Sequence, residues 1–281
     1  MTAWPRGWLP YEEVHGKDHT VIGTVLVWKK LESKELDRAR DISVYLPPSL
    51  AEALSQGRAP DRRYPVLYFM DGQNAFDERT SYVGEWQADE TLEELARDGL
   101  EAIAVAVPNG HEARMDEYDP WRGKNAFTKG RVSGGKGDAF LEWLVGSVKE
   151  MVDSSFPTRT EREATGIVGS SLGGLISLYA LIGQPKVFGM AVSMSPAVRW
   201  HDFELLRLIE GGRMPKSRIH IDMGTHEWSG AVEDLRQLRD VLIGCGWREG
   251  RDLQYVEERN AWHRESAWAR RLPDALRFVM A

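Results

Sequence analysis

The chain has 281 residues, 28% of them charged and 42% hydrophobic, with 27 Gly and 13 Pro, a globular balance that excludes a disordered, fibrous or coiled-coil protein. Its formal net charge of -7, with no basic run to reverse the sign locally, repels a phosphate backbone, so nucleic acid is not an expected partner. Cys245 is the only cysteine, which excludes an intrachain disulfide and a cysteine-rich zinc site and fits a reducing, cytoplasmic setting.

Met1 to Val14 lacks the basic head and apolar run of a signal peptide, and no later stretch reaches the ~20 apolar residues of a membrane span, so neither export nor a membrane is expected. Val21–Trp28 and Ile42–Leu46, parted by the charged turn Lys34 to Arg40, read as antiparallel strands on one side of a sheet. From Tyr64 onward, short β-rich runs alternate with helical patterns. Strands are expected at Val66–Met70, Ala102–Val107, Thr165–Gly169, Gly189–Met194, Arg218–Met223 and Leu253–Val256. Between them Ala88–Arg97, Asp138–Val152, Leu172–Ile182, Val232–Ile243 and Ser266–Met280 space their apolar residues as amphipathic helices do. The alternation predicts an α/β fold with a mostly parallel central sheet, N-terminal antiparallel strands and helices on both faces. With no repeat or low-complexity linker, residues 1–281 read as one domain. Residues 1–40 form an N-terminal extension and first strand, and the irregular stretch 110–137 is the candidate lid or specificity loop.

The sharpest motif is Gly169-Ser170-Ser171-Leu172-Gly173-Gly174, set between the apolar Ile167-Val168 and the helical pattern from Leu175. A serine hydroxyl is a weak nucleophile unless it is exposed, fixed and beside a base, and a tight strand-to-helix turn projects it from the sheet edge. Gly169 and Gly173 flank Ser171 because side chains there collide as the chain doubles back. The following helix starts with free N–H groups, so the Leu172 amide can stabilise an oxyanion. The bland alternative is a helix N-cap serine, a part Ser170 or Ser171 could play.

A general base and its orienting acid belong in loops after later strands. His263 follows Leu253–Val256 across Glu257 to Asn260 and is the only histidine after Glu227. Glu227, in Gly224-Thr225-His226-Glu227, is the preferred acid; its rivals are Asp222, inside the strand, and Asp234, on what reads as a solvated helix face. The turn Asp71-Gly72-Gln73-Asn74 closes a buried strand and offers the Gln73 N–H as a second oxyanion donor, unless Asp71 merely caps its own backbone. Trp86, Trp200, Trp228 and Trp262 lie beside these motifs and are candidates to line a substrate pocket, although 11 tryptophans also suit core packing. Arg114 and Tyr118, with Trp121, form a polar-aromatic loop; the arginine holds an anionic group or pairs with Glu117.

At these residues the chain resembles the esterase family of α/β-hydrolases that includes enterochelin and other siderophore esterases, feruloyl and acetyl-xylan esterases, S-formylglutathione hydrolase and the mycolyltransferases. The resemblance spans about Arg40 to Phe278. It is carried by Tyr64-Pro65-Val66-Leu67-Tyr68 with Asp71-Gly72-Gln73, Trp86 with Asp89-Glu90, and Arg114 with Glu117-Tyr118 and Pro120. Gly169 to Gly174, Gly224-Thr225 with Glu227, and His263 with Glu265 and Trp268 complete it. It implies the α/β-hydrolase fold, a triad of Ser171, Glu227 and His263, and an oxyanion hole of the Gln73 and Leu172 amides. The pairing of Arg114 with Glu117-Tyr118 looks most like the siderophore-esterase branch.

The expected activity is hydrolysis of a small carboxylic ester, siderophore-type or another aryl or acyl ester, through an acyl-enzyme, with no cofactor. An acyltransferase would use the same residues, and a non-catalytic binding protein on the same fold would break the triad. No metal is expected, since no His-Glu-x-x-His motif occurs and the seven histidines are scattered. Ser133 to Gly137 lacks the strand and spacing of a phosphate-binding loop.

Overall fold

The computed structural model describes residues 4–124, 128, 130–212 and 214–281. Along the chain the strands are β1 Trp8–Pro10, β2 Thr24–Ser33, β3 Arg38–Leu46, β4 Val66–Met70, β5 Ile103–Val107, β6 Gly123–Lys124, β7 Val132–Ser133, β8 Thr165–Ser170, β9 Met190–Met194, β10 Arg218–Gly224 and β11 Leu253–Glu258. The short pair β6 and β7 forms its own ribbon, and the other strands make a single sheet in the order β1-β2-β3-β5-β4-β8-β9-β10-β11. From β5 to β11 neighbours run parallel, while β1, β2 and β3 join antiparallel on one side.

β4 and β5 are buried at every residue, as strands covered on both faces must be, and this explains their unbroken apolar sequences. Alternate side chains enter different cores. Val66, Tyr68 and Met70 face a cluster with Leu141, Trp143, Leu175, Leu178, Leu235 and Leu238 from the helical segments at 137–155, Leu172–Gly183 and Ala231–Gly244. Leu67 and Phe69 face the opposite cluster with Leu92 and Leu95 of helix Ala88–Arg97 and Trp268, Leu272 and Leu276 of helix Glu265–Met280.

The N-terminal hairpin is longer than its apolar runs indicate. β2 continues to Ser33 and β3 starts at Arg38, so the turn is confined to Lys34–Asp37 and Arg38–Arg40 of the charged segment are strand, with the register shifting between Trp28 and Leu31. Strand β1 is too short for periodicity to reveal; it is held by pairing Trp8 with Trp28. Among the described residues no helix is long and apolar enough to cross a membrane. The turns that follow β4, β8, β9, β10 and β11 share the C-terminal edge of the parallel strands, where open α/β sheets place their ligand sites.

Candidate active site

Between β8 and helix Leu172–Gly183, Ser171 adopts φ 57° and ψ -120°, a conformation that costs an L-residue roughly 1–3 kcal/mol and persists only where surrounding contacts impose it. Those contacts are bonds from Ser171 N to Met194 O at 3.0 Å, Ala197 N to Ser171 O at 3.1 Å and Leu175 N to Ser171 O at 3.0 Å. A Cβ on Gly169 would lie 2.4 Å from Gly173 O, so the turn closes only with glycine there. Ser171 occupies the N-cap position but makes no capping bond, and it is partly exposed while Ser170 is buried. The N-cap explanation of this serine therefore fails.

Glu227 and His263 come together across the ends of β10 and β11. His263 Nδ1 lies 2.7 Å from Glu227 Oε2; a carboxylate only accepts, so Nδ1 is the donor and, in the neutral imidazole, Nε2 the acceptor. Glu227 is held by its other oxygen, which accepts from Gly224 N at 2.7 Å and Ser195 Oγ at 2.6 Å. Its carboxylate is fully buried, while the imidazole remains about one-third exposed. Ser171 Oγ makes no hydrogen bond among the described residues; nucleophile and base commonly tighten only with substrate in place. The rival acids are committed elsewhere. Asp222 binds His220 Nε2 at 2.8 Å and Arg271 at 2.9 Å. Burial works to raise its pKa, but those partners outweigh it and hold the carboxyl below its ordinary value. Asp234, expected on a solvated face, is buried and takes a two-pronged bond from Arg199 at 2.9 and 2.7 Å, because the turn after β9 lies against that helix.

The Asp71 turn is braced from outside. Arg114 does not pair with Glu117; its Nε and Nη2 bind the two Asp71 carboxylate oxygens at 2.6 and 2.7 Å, joined by Asn109 Nδ2 at 2.6 Å. Glu117 is taken by Arg40 at 2.6 Å. The Asp71 amide donates to the Tyr118 phenol at 2.9 Å, and Asp71 itself sits at φ 55°. Gly72 presses so closely on β5 that a Cβ would lie 2.2 Å from Val107 N. Gly173 in turn packs against this turn, its Cβ position being 3.2 Å from Asp71 Oδ2. The Ser171 turn, the elbow between β8 and its helix, and the Asp71 turn are thus adjacent, and neither the Gln73 nor the Leu172 amide donates to any group among the described residues. Both N–H groups are thus left to bind something else.

Of the aromatic candidates, three are not exposed. Trp86 is buried against Trp268 and Phe69 at 5.8 and 6.5 Å, Tyr118 is buried against Phe140, and Trp200 is buried with Nε1 bonded to Asp119 at 2.6 Å. They are framework rather than pocket lining, because each polar atom or ring finds a tertiary partner that composition could not reveal. Trp228 is 39% exposed and meets the His263 ring edge-on at 5.2 Å, and Trp262 is 55% exposed and stacks on His226. The stretch 110–137 is fastened through Asp119, which also binds His201 Nε2 at 2.8 Å, and through Trp121 against Tyr179, on the helix that follows Ser171. Part of that stretch, 125–127 and 129, lies outside the described residues.

Glu85, Asp89 and Glu90 bring carboxylate oxygens within 4.8 Å of one another beside Trp86. Burial, then the hydrogen bond to Glu90, pushes Asp89 up to about 9; burial, then the charge of Glu90, pushes Glu85 up to about 7. At neutral pH this group therefore carries protons.

The chain belongs to the Putative esterase family, whose pattern it matches over residues 33–279. It is 25% identical to the Uncharacterized protein YbbA of Bacillus subtilis over 188 residues, 67% of this chain and 69% of that one. It is 28% identical to the Siderophore triacetylfusarinine C esterase of Aspergillus fumigatus over 155 residues, 53% of this chain and 49% of that enzyme. In structure it is similar to the BES protein from Bacillus cereus, with a TM-score of 0.71 at 18% identity, covering 94% of this chain and 99% of that one. The fold is that of the α/β-hydrolase-type esterases.

Proposed function

We propose that the protein is a serine esterase that cleaves a carboxylic ester through an acyl-enzyme on Ser171, with His263 as general base and Glu227 as its orienting acid. The observation that carries this reading is the buried Glu227 carboxylate bonded to His263 Nδ1 at 2.7 Å, which turns Nε2 into a proton acceptor on the edge that presents Ser171. Ser171 Oγ attacks the ester carbon as Nε2 takes its proton, and the oxygen that becomes anionic is met by the Gln73 and Leu172 amides. Collapse expels the alcohol, which takes the proton from His263. Water then attacks the acyl-serine with the same base, and the carboxylic acid leaves.

The siderophore esterase relative favours a siderophore-type or other aryl or acyl ester as substrate, and exposed Trp228 beside His263 offers a flat apolar contact for such a group. The test is turnover of p-nitrophenyl esters of increasing acyl length by wild type and Ser171→Ala, with fluorophosphonate labelling located by mass spectrometry. Loss of turnover and of labelling in the variant is expected. Labelling at another residue, or undiminished turnover, overturns the assignment.

A further inference from the structure

A carboxylate that orients a histidine has to be oriented itself, and the residue that does so here lies outside the triad. Ser195, in the turn after β9, is fully buried at φ 45°. Its Oγ is 2.6 Å from Glu227 Oε1, 2.9 Å from Trp268 Nε1 and 3.3 Å from Arg271 Nη2. An indole N–H and a guanidinium can only donate, and a hydroxyl has one proton and two lone pairs. With both lone pairs taken, the single proton of Ser195 has one direction left, toward Glu227.

We propose that Ser195 is a positioning residue for the acid: it delivers a directed hydrogen bond to Glu227 Oε1, so that the lone pairs of Oε2 face His263. This inference rests on the triad reading above. The support behind Ser195 is itself fixed. Arg271 is gripped by Asp222 at 2.9 Å and by Glu258, with His220 completing Asp222, and Trp268 packs edge-on to the His263 ring at 4.9 Å. Ser195 N also binds Asp222 O at 2.9 Å. The polar residues of β10, otherwise odd in a central strand, therefore back the acid rather than replace it.

Ser195→Gly is the informative variant, because glycine accepts the positive φ without strain and removes the CH2OH side chain that carries the hydroxyl. Wild type, Ser195→Gly, Glu227→Gln and the double variant are compared in kcat and KM for p-nitrophenyl butyrate across pH. Ser195→Gly is expected to lower kcat about 10- to 100-fold with KM within about threefold, the signature of an interaction serving the transition state. The acid limb of its kcat profile should move to higher pH, since a carboxylate with one donor fewer holds a proton on the imidazole more strongly. In the Glu227→Gln background the same change should cost less than about threefold, because residues that act as a unit are not additive. Equal losses in both backgrounds, or an unchanged kcat and pH profile, overturn the proposal. The downfield proton signal of the His263 to Glu227 hydrogen bond gives a readout independent of turnover: it should shift in Ser195→Gly, and an unmoved signal also overturns the proposal. Full activity in Ser171→Ala would instead sink the triad reading, whatever Ser195 does.

Discussion

Replacing Glu227 by Gln tests the base with almost no change of shape. The amide has one accepting oxygen and one donating NH2, and the site decides which goes where. Gly224 N at 2.7 Å and Ser195 Oγ at 2.6 Å both donate to the Oε1 position, and Ser195 cannot turn its proton away because Trp268 and Arg271 fill its lone pairs. The amide oxygen therefore takes that place, and the NH2 faces His263 Nδ1. A donor opposite Nδ1 forces the proton onto Nε2, the atom that on the proposed mechanism must accept from Ser171. The variant is expected to fold normally and lose kcat by about 1,000- to 10,000-fold, roughly 4–5.5 kcal/mol, the scale on which wrong-tautomer variants fail. Steady-state hydrolysis of p-nitrophenyl butyrate at neutral pH measures it, with thermal unfolding as the control for folding. A folded Glu227→Gln retaining more than about a tenth of wild-type kcat would refute the tautomer argument, since the effect is expected to exceed that margin by far.

Gly169→Ala should leave little folded, active protein, because the added carbon would sit 2.4 Å from Gly173 O; a loss of at least about 2–3 kcal/mol in urea unfolding is expected. Arg114→Met removes the two-pronged partner of the largely buried Asp71 and should destabilise the protein by about 3 kcal/mol, with kcat falling more than KM rises as the turn bearing the Gln73 amide loosens. Unfolding curves and kinetics check both parts, and a rise in KM alone would show that Arg114 binds substrate instead. For Asp89 the native state holds a proton up to about pH 9, whereas the unfolded chain releases it in the ordinary carboxylate range, so stability falls as pH rises through that window. Asp89→Asn keeps an acceptor for Ile22 N and should raise Tm clearly more at pH 8.5 than at pH 5, as followed by circular dichroism; an equal change at both would refute the raised pKa.

The sheet and the elbow were legible because their signals are local. Val66–Met70 is apolar throughout since both its faces are covered, and Gly169, Ser171 and Gly173 are spaced by a turn that tolerates nothing larger. Glu227 and His263 could be placed from the strands they follow. What sequence could not convey was tertiary pairing. Arg114 lies 43 residues from Asp71, and Ser195 lies 32 from Glu227 and 73 from Trp268, so no window contains either arrangement. A serine before a proline looks like any turn. The polar strand residues His220 and Asp222 were the available hint that a charged partner such as Arg271 waited on a neighbouring helix. Trp86, Tyr118 and Trp200 misled because an aromatic near a motif looks the same whether it faces the substrate or the interior.

The helix Glu265–Met280 carries both Trp268 and Arg271, so the groups that hold Ser195 against Glu227 are translated well after the turn that bears Ser171. The elbow is complete in sequence by Gly174, long before its base and acid are translated. On the proposed triad, a nascent chain at that point exposes a serine with no partner to activate it, and hydrolytic competence is expected only once β11 and the helix after it dock. Onset of activity in a translation reaction would mark completed folding rather than synthesis of the nucleophile, and a clip that released this helix would silence the site without touching Ser171.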